Sequence, residues 1–147
     1  MPNLYPTMNL PSLVTPRSKS VEKKYYPAPD FDFEVGEFLI DAAGRHIMAS
    51  TRETFEQWCI KTCATERNSR MAYSDRIGTE MEYAMKEPNI DAVKSSIVRT
   101  ITETLMVNPA TEYVKNFSFR VEGDNLWVSF DVKGRNWLEE SRLTVKY

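Results

Sequence analysis

Apolar residues recur at helical spacing in the middle of the chain and alternate with polar ones at both ends, and these changes of period predict the elements. Phe55, Trp58, Cys59, Thr62 and Cys63 make one face of a helix whose other faces carry Glu53, Glu56, Gln57 and Lys61. Ser50 and Glu53 stand at the spacing of a capping box, so the helix starts at Ser50. It ends near Thr65, because Glu66-Arg67-Asn68-Ser69-Arg70 is polar on every side. Met71, Tyr73 and Ile77 then punctuate a polar segment that closes at Gly78. Thr79 with Glu82 forms a second candidate capping box, opening a short helix through Met81, Ala84 and Met85 that must stop near Pro88. Asn89 caps a longer helix with apolar positions Ile90, Val93, Ile97, Ile101 and Leu105, widened by Val98 and Met106 and ended by Asn108-Pro109.

On either side the period is two. Phe31, Phe33 and Val35 alternate and lead into Phe38-Leu39-Ile40; after Asp41-Ala42-Ala43-Gly44 comes His46-Ile47-Met48, which together read as a hairpin of two short strands. In the last third Phe117, Phe119 and Val121 face one way and Ser118, Arg120 and Glu122 the other. A turn at Gly123-Asp124-Asn125 leads to Leu126, Val128, Phe130 and Val132, alternating with Trp127, Ser129, Asp131 and Lys133. Leu143-Thr144-Val145-Lys146-Tyr147 is a further alternating strand, either the last member of the sheet or an edge open to another chain. The expected fold is α+β: two main helices packed on a small, mostly antiparallel sheet with a C-terminal β-hairpin. Residues 1–30 hold six of the eight prolines, which excludes a sustained helix or central strand and predicts an extended arm ahead of one domain over 31–147. The arm's Leu4, Tyr5, Met8, Leu10, Leu13 and Val14 fit either a segment lying along a surface or a disordered tail.

Composition narrows the function. At 147 residues the chain holds one domain with a real core, and 41% hydrophobic residues with 27% charged contain no apolar run of bilayer length. The N-terminus lacks signal-peptide character, so the chain is expected to stay in the cytoplasm that makes it. A net charge of −2 without a basic block argues against a nucleic-acid partner. Arg17, Lys19, Lys23 and Lys24 read as a solvated linker. Tyr25, Tyr26, Phe31 and Phe33 beside them read as packing residues rather than a stacking platform. Cys59 and Cys63, one helical turn apart, read as two buried thiols, and with His46 as the only histidine no metal set can be completed. Five glycines form no phosphate-binding loop, Glu80 and Glu82 sit on different faces of a short helix, and no nucleophile has a base nearby. No enzyme activity and no cofactor are expected. What stays distinctive is Glu66-Arg67, either an ordinary ion pair or a pair that meets a partner.

The run from Phe55 to Glu82, FEQWCIKTCATERNSRMAYSDRIGTEME, resembles the signature of the baseplate wedge and sheath-initiator family of contractile phage tails, in the version of Gram-positive phages and PBSX-like defective prophages. It is similar more distantly to the type VI secretion baseplate counterpart. In that family a helix leads to a Glu-Arg or Glu-Pro-Arg loop, a hydrophobic-aromatic segment, a glycine, a second helix and a C-terminal hairpin. This order is followed here from Val35 to Lys133, with Glu66, Arg67 and Gly78 on the motif positions and no proline between the first two. The resemblance implies a structural component of a contractile tail or tail-like bacteriocin. It would assemble in the host cytoplasm and then occupy the baseplate in several copies of a symmetric ring, with no nucleic acid and no membrane as partner. Glu66, Arg67 and Gly78 would meet the larger wedge subunits. Leu143, Thr144, Val145, Lys146 and Tyr147 would meet the first ring of sheath protein, with tube or hub proteins as further neighbours. Deleting 143–147 is then expected to leave a folded protein unable to start sheath. The alternative class is a small adaptor or regulatory protein that acts by pairing a strand with its partner.

Overall fold

In the computed structural model the described residues are 25–147; most of the proposed arm, with its apolar residues and basic cluster, lies outside them. The first helix, α1 (Thr51–Cys63), begins where the capping box predicts: the Glu53 amide donates to the Ser50 hydroxyl, and the Ser50 amide donates to the Glu53 carboxylate. Its buried face is Phe55, Cys59, Thr62 and Cys63, with Trp58 half-buried beside them. The long helix, α3 (Ile90–Met106), is capped by the Asn89 side chain, which accepts from the Asp91 amide. Ile97, Ile101 and Leu105 are fully buried, but Ile90 at the start of the stripe is exposed.

Thr111–Glu122 (β5), Asn125–Gly134 (β6) and Ser141–Lys146 (β7) form a three-stranded antiparallel sheet in chain order, so β5 and β7 are both edges. The tight turn is Gly123-Asp124, one residue shorter than the pattern predicts, because Glu122 already pairs with Asn125. β5 begins earlier than expected and is broken by a bulge between Lys115 and Ser118, where Asn116 takes a left-handed conformation. Val128, Phe130 and Val132 of β6 and Leu143 and Val145 of β7 point inward with none more than 6% exposed, and α1 and α3 close over that face. This buried layer of two helices on one antiparallel sheet is the expected α+β fold. Cys59 and Cys63 are free thiols inside it. Burial raises both, together with repulsion from the neighbouring thiol for Cys59, and Cys63 is pushed up to about 12.

The N-terminal hairpin departs from its prediction. Phe31–Asp32 (β2) pairs with Glu37–Phe38 (β3), and the residues between them, read as part of an alternating strand, make a turn instead. The Asp32 carboxylate accepts from the amides of Glu34 and Val35, and Gly36 supplies the positive φ that closes the turn. The second turn falls as expected around Asp41–Gly44, with Ile40 bridged to His46, and Ala28–Pro29 (β1) pairs with Met48–Ala49 (β4). His46 packs against the Phe38 ring, the structural role expected of it.

Candidate functional site

The loop between α1 and α3 is built around its two charged motif residues, and both turn inward. Glu66 pairs with Thr79 in a single parallel bridge: the Arg67 amide donates to the Thr79 carbonyl and the Thr79 amide to the Thr65 carbonyl, at 2.8 and 2.9 Å. The Glu66 carboxylate then accepts from the Met81 amide, 3.2 Å away. Met81 opens the short helix α2 (Met81–Ala84), so Glu66 caps it from across the loop. Thr79 is not the cap that its spacing with Glu82 predicts. Its hydroxyl is drawn inside and donates to the Cys63 carbonyl at 3.0 Å, and the residue before α2, Glu80, makes no side-chain cap. A buried helix end needs a partner for its last carbonyls, and that demand outweighs the local capping box. Glu82 instead pairs with Lys86 one turn on.

Arg67 makes the complementary set of contacts. Its guanidinium meets the Glu80 carboxylate at 2.8 Å and donates to the Gly78 carbonyl at 3.2 Å and to the Thr104 hydroxyl at 3.3 Å. Thr104 in turn donates to Gly78, and the Thr100 hydroxyl accepts from the Glu80 amide. Thr100 and Thr104 occupy buried positions of α3 that a purely apolar stripe would not contain. Their signal in the sequence was two threonines one turn apart on the predicted core face. Gly78 is required twice over, since its φ is +103° and a Cβ there would lie 2.8 Å from the Thr65 carbonyl oxygen and 3.0 Å from the Arg67 amide nitrogen. The three motif residues are thus brought together as a clamp. The exposed part of the loop lies between them: Arg70, Met71, Tyr73 and Arg76, with Met71 fully solvent-exposed.

The second candidate, residues 143–147, is split by the pleat. Leu143 and Val145 are core residues, and the Tyr147 hydroxyl donates to the Cys63 carbonyl at 3.1 Å, its ionisation pushed up by burial. Deleting them would remove part of the core, so the deletion expected to spare the fold would not do so. Thr144 and Lys146 face solvent. Leu126 and Tyr147 exchange both backbone hydrogen bonds, which fixes the alternation along β7. Arg142, Thr144 and Lys146 therefore aim their amides and carbonyls away from β6, toward the open edge. Beside that edge runs a groove of about 620 Å³ between Val145 and Lys146 of β7, Ile60 and Ala64 of α1, and Phe33 of the hairpin turn. On the outer sheet face the Lys146 ammonium lies 5.6 Å from the Trp127 ring, and Arg142 pairs with Asp131 at 2.9 Å.

No group of three His, Cys, Asp or Glu side chains among the described residues is placed to hold a metal ion, and no helix there is long and apolar enough to cross a membrane. Among the curated proteins none matches the chain. A solved structure described as a tail lysozyme from Geobacter sulfurreducens is similar at 13% identity and a TM-score of 0.49, covering 70% of this chain and 95% of its own. Residues 29–136 match the profile of the contractile injection system sheath initiators, and the chain belongs to that family.

Proposed function

We propose that this sheath initiator works without catalysis, as a two-sided adaptor in the baseplate. One side, the loop from Asn68 to Ile77, docks on the larger wedge subunits. The other, the free edge of β7, pairs with an extended strand of the first sheath ring. The observation that carries the reading is that edge: a strand whose outward backbone groups at Arg142, Thr144 and Lys146 stand beside a groove of mixed lining, with Phe33, Ile60 and Val145 as apolar walls and Glu34 and Lys146 as charged ones, offers an incoming strand both hydrogen bonds and packing for alternate side chains. Glu66, Arg67 and Gly78 serve the wedge side indirectly, by fixing the loop from which Met71 and Tyr73 project. The particle assembles in the host cytoplasm.

Thr144→Pro tests the edge. It removes an outward amide while leaving the β6 pairs, a placement proline tolerates on an edge strand. Tails carrying it should contain the subunit, as judged by mass spectrometry of purified particles, and should show bare tubes by electron microscopy. Normal sheath on those particles would refute strand pairing at this edge. For the wedge side, Met71→Asp should leave the purified monomer folded and abolish its co-purification with wedge subunits. Unchanged incorporation would remove the loop from the interface.

A further inference from the structure

A second groove also borders the hairpin turn. Phe31, Phe33 and Phe38 form an edge-to-face aromatic cluster with centroid separations of 5.1 Å, and with Pro29, Trp58 and Lys61 they line a groove of about 490 Å³ between the hairpin and α1. Its walls are open: Phe38 is 52% and Phe33 40% exposed, and Leu39, Ile40, Ile47 and Met48 are further exposed apolar residues of the same hairpin. An exposed aromatic cluster lining a groove of this kind marks a place where something binds. The hairpin is also acidic, with Asp30, Asp32, Glu34 and Glu37 in eight residues. The groove therefore calls for apolar side chains, while the acidic residues flank it on the hairpin and Lys61 of α1 stands in its wall.

The chain's own residues 1–24 have that chemistry. Leu4, Tyr5, Leu10, Leu13 and Val14 are spaced by Pro6 and Pro11, and Arg17, Lys19, Lys23 and Lys24 follow. Proline-spaced apolar segments suit aromatic grooves because they lose little conformational freedom on docking. Their point of entry is fixed close by. Tyr25, four residues before Pro29, sits edge-on to Phe55 at 5.6 Å, and the Asn108 amide donates to its hydroxyl. A chain of the length from there to Val14 can span at most about 35 Å at roughly 3.3 Å per residue, enough to return along α1. We infer that residues 1–24 dock in cis on the aromatic groove between the hairpin and α1, with the apolar residues around Leu10 to Val14 against Phe31, Phe33 and Phe38 and the basic run against the acidic hairpin. The hairpin then stands between two occupied surfaces, with Phe33 lining both the aromatic groove and the groove beside β7.

The full chain carrying Phe38→p-benzoylphenylalanine, a conservative aromatic replacement, tests this by photo-cross-linking and peptide mapping. Cross-links are expected to land within residues 1–24, and in a mixture of isotopically light and heavy protein they should join segments of one chain. Lys19→Glu, Lys23→Glu and Lys24→Glu together, and separately Leu10→Asp with Leu13→Asp, should each lower that yield several-fold. The same photoreactive residue at Val121, exposed near the end of β5 and outside the groove's lining, should give no such product. Cross-links that bypass residues 1–24, or a yield indifferent to both sets of substitutions, would overturn the docking. Products joining only light to heavy chains would overturn it in favour of a second copy as the occupant.

Discussion

At the scale of single residues, Glu66 and Arg67 matter through what they hold. An arginine with 19% of its side chain exposed, bonded to a carboxylate, a carbonyl and a hydroxyl, leaves unsatisfied groups behind when it is removed. Arg67→Ala should therefore lower the unfolding free energy by about 2 kcal/mol, measured by urea denaturation of the isolated protein. Gly78→Ala should destabilise by about 1–3 kcal/mol through backbone strain at a positive φ and the collision with the Thr65 carbonyl. A charge reversal at Arg67 consequently reports on folding as well as on assembly, and this is why Met71 is the cleaner probe of the wedge side. The sequence made Glu66, Arg67 and Gly78 visible as a group. It could not say that they face one another, because Thr100, Thr104 and Glu80, which complete the clamp, lie 13 or more residues further along the chain.

At the scale of elements, local signals held where the element's own residues satisfy its ends and gave way where a neighbour does so. The Ser50–Glu53 box forms as predicted, and Ser50→Ala should cost about 1 kcal/mol. Its pH dependence has a definite sign. The Ser50 amide holds the Glu53 carboxyl below its ordinary value, so the cap contributes fully above the unfolded carboxylate value and is lost as the pH falls through the lower, folded one. Asp131, held down by Asn116 and then Arg142, and Glu140, held down by Lys115 and then Tyr113, act in the same direction. Urea midpoints should fall on acidification below the usual carboxylate range, and less steeply in Glu53→Gln than in the parent. The Thr79–Glu82 box, with identical local credentials, does not form, because Thr79 is needed by the buried end of α1. In the hairpin, a single aspartate at position 32 turned an alternating run into a turn by accepting two backbone amides.

At the scale of the whole molecule, α1, α3 and the sheet share one buried layer, and Cys59 and Cys63 report on it. Both thiols are 0% exposed and held protonated by burial, so a thiol reagent at neutral pH should label neither in the native protein and both once urea has unfolded it. Labelling at a rate independent of denaturant would mean that α1 opens locally. The division between sequence and tertiary structure follows the range of the forces involved. Periodicity, capping residues and turn formers act within a few residues, so the sequence by itself determined both main helices, the C-terminal hairpin, the core faces and the family motif. Burial and long-range pairing decided the rest. They set which capping box forms and the inward turn of Glu66 and Arg67. They also made Leu143 and Val145 core residues while leaving the β7 backbone free along its outer side. A strand's alternation is the same whether its far edge is paired or open, so only its place in the sheet could make β7 an edge with a groove beside it.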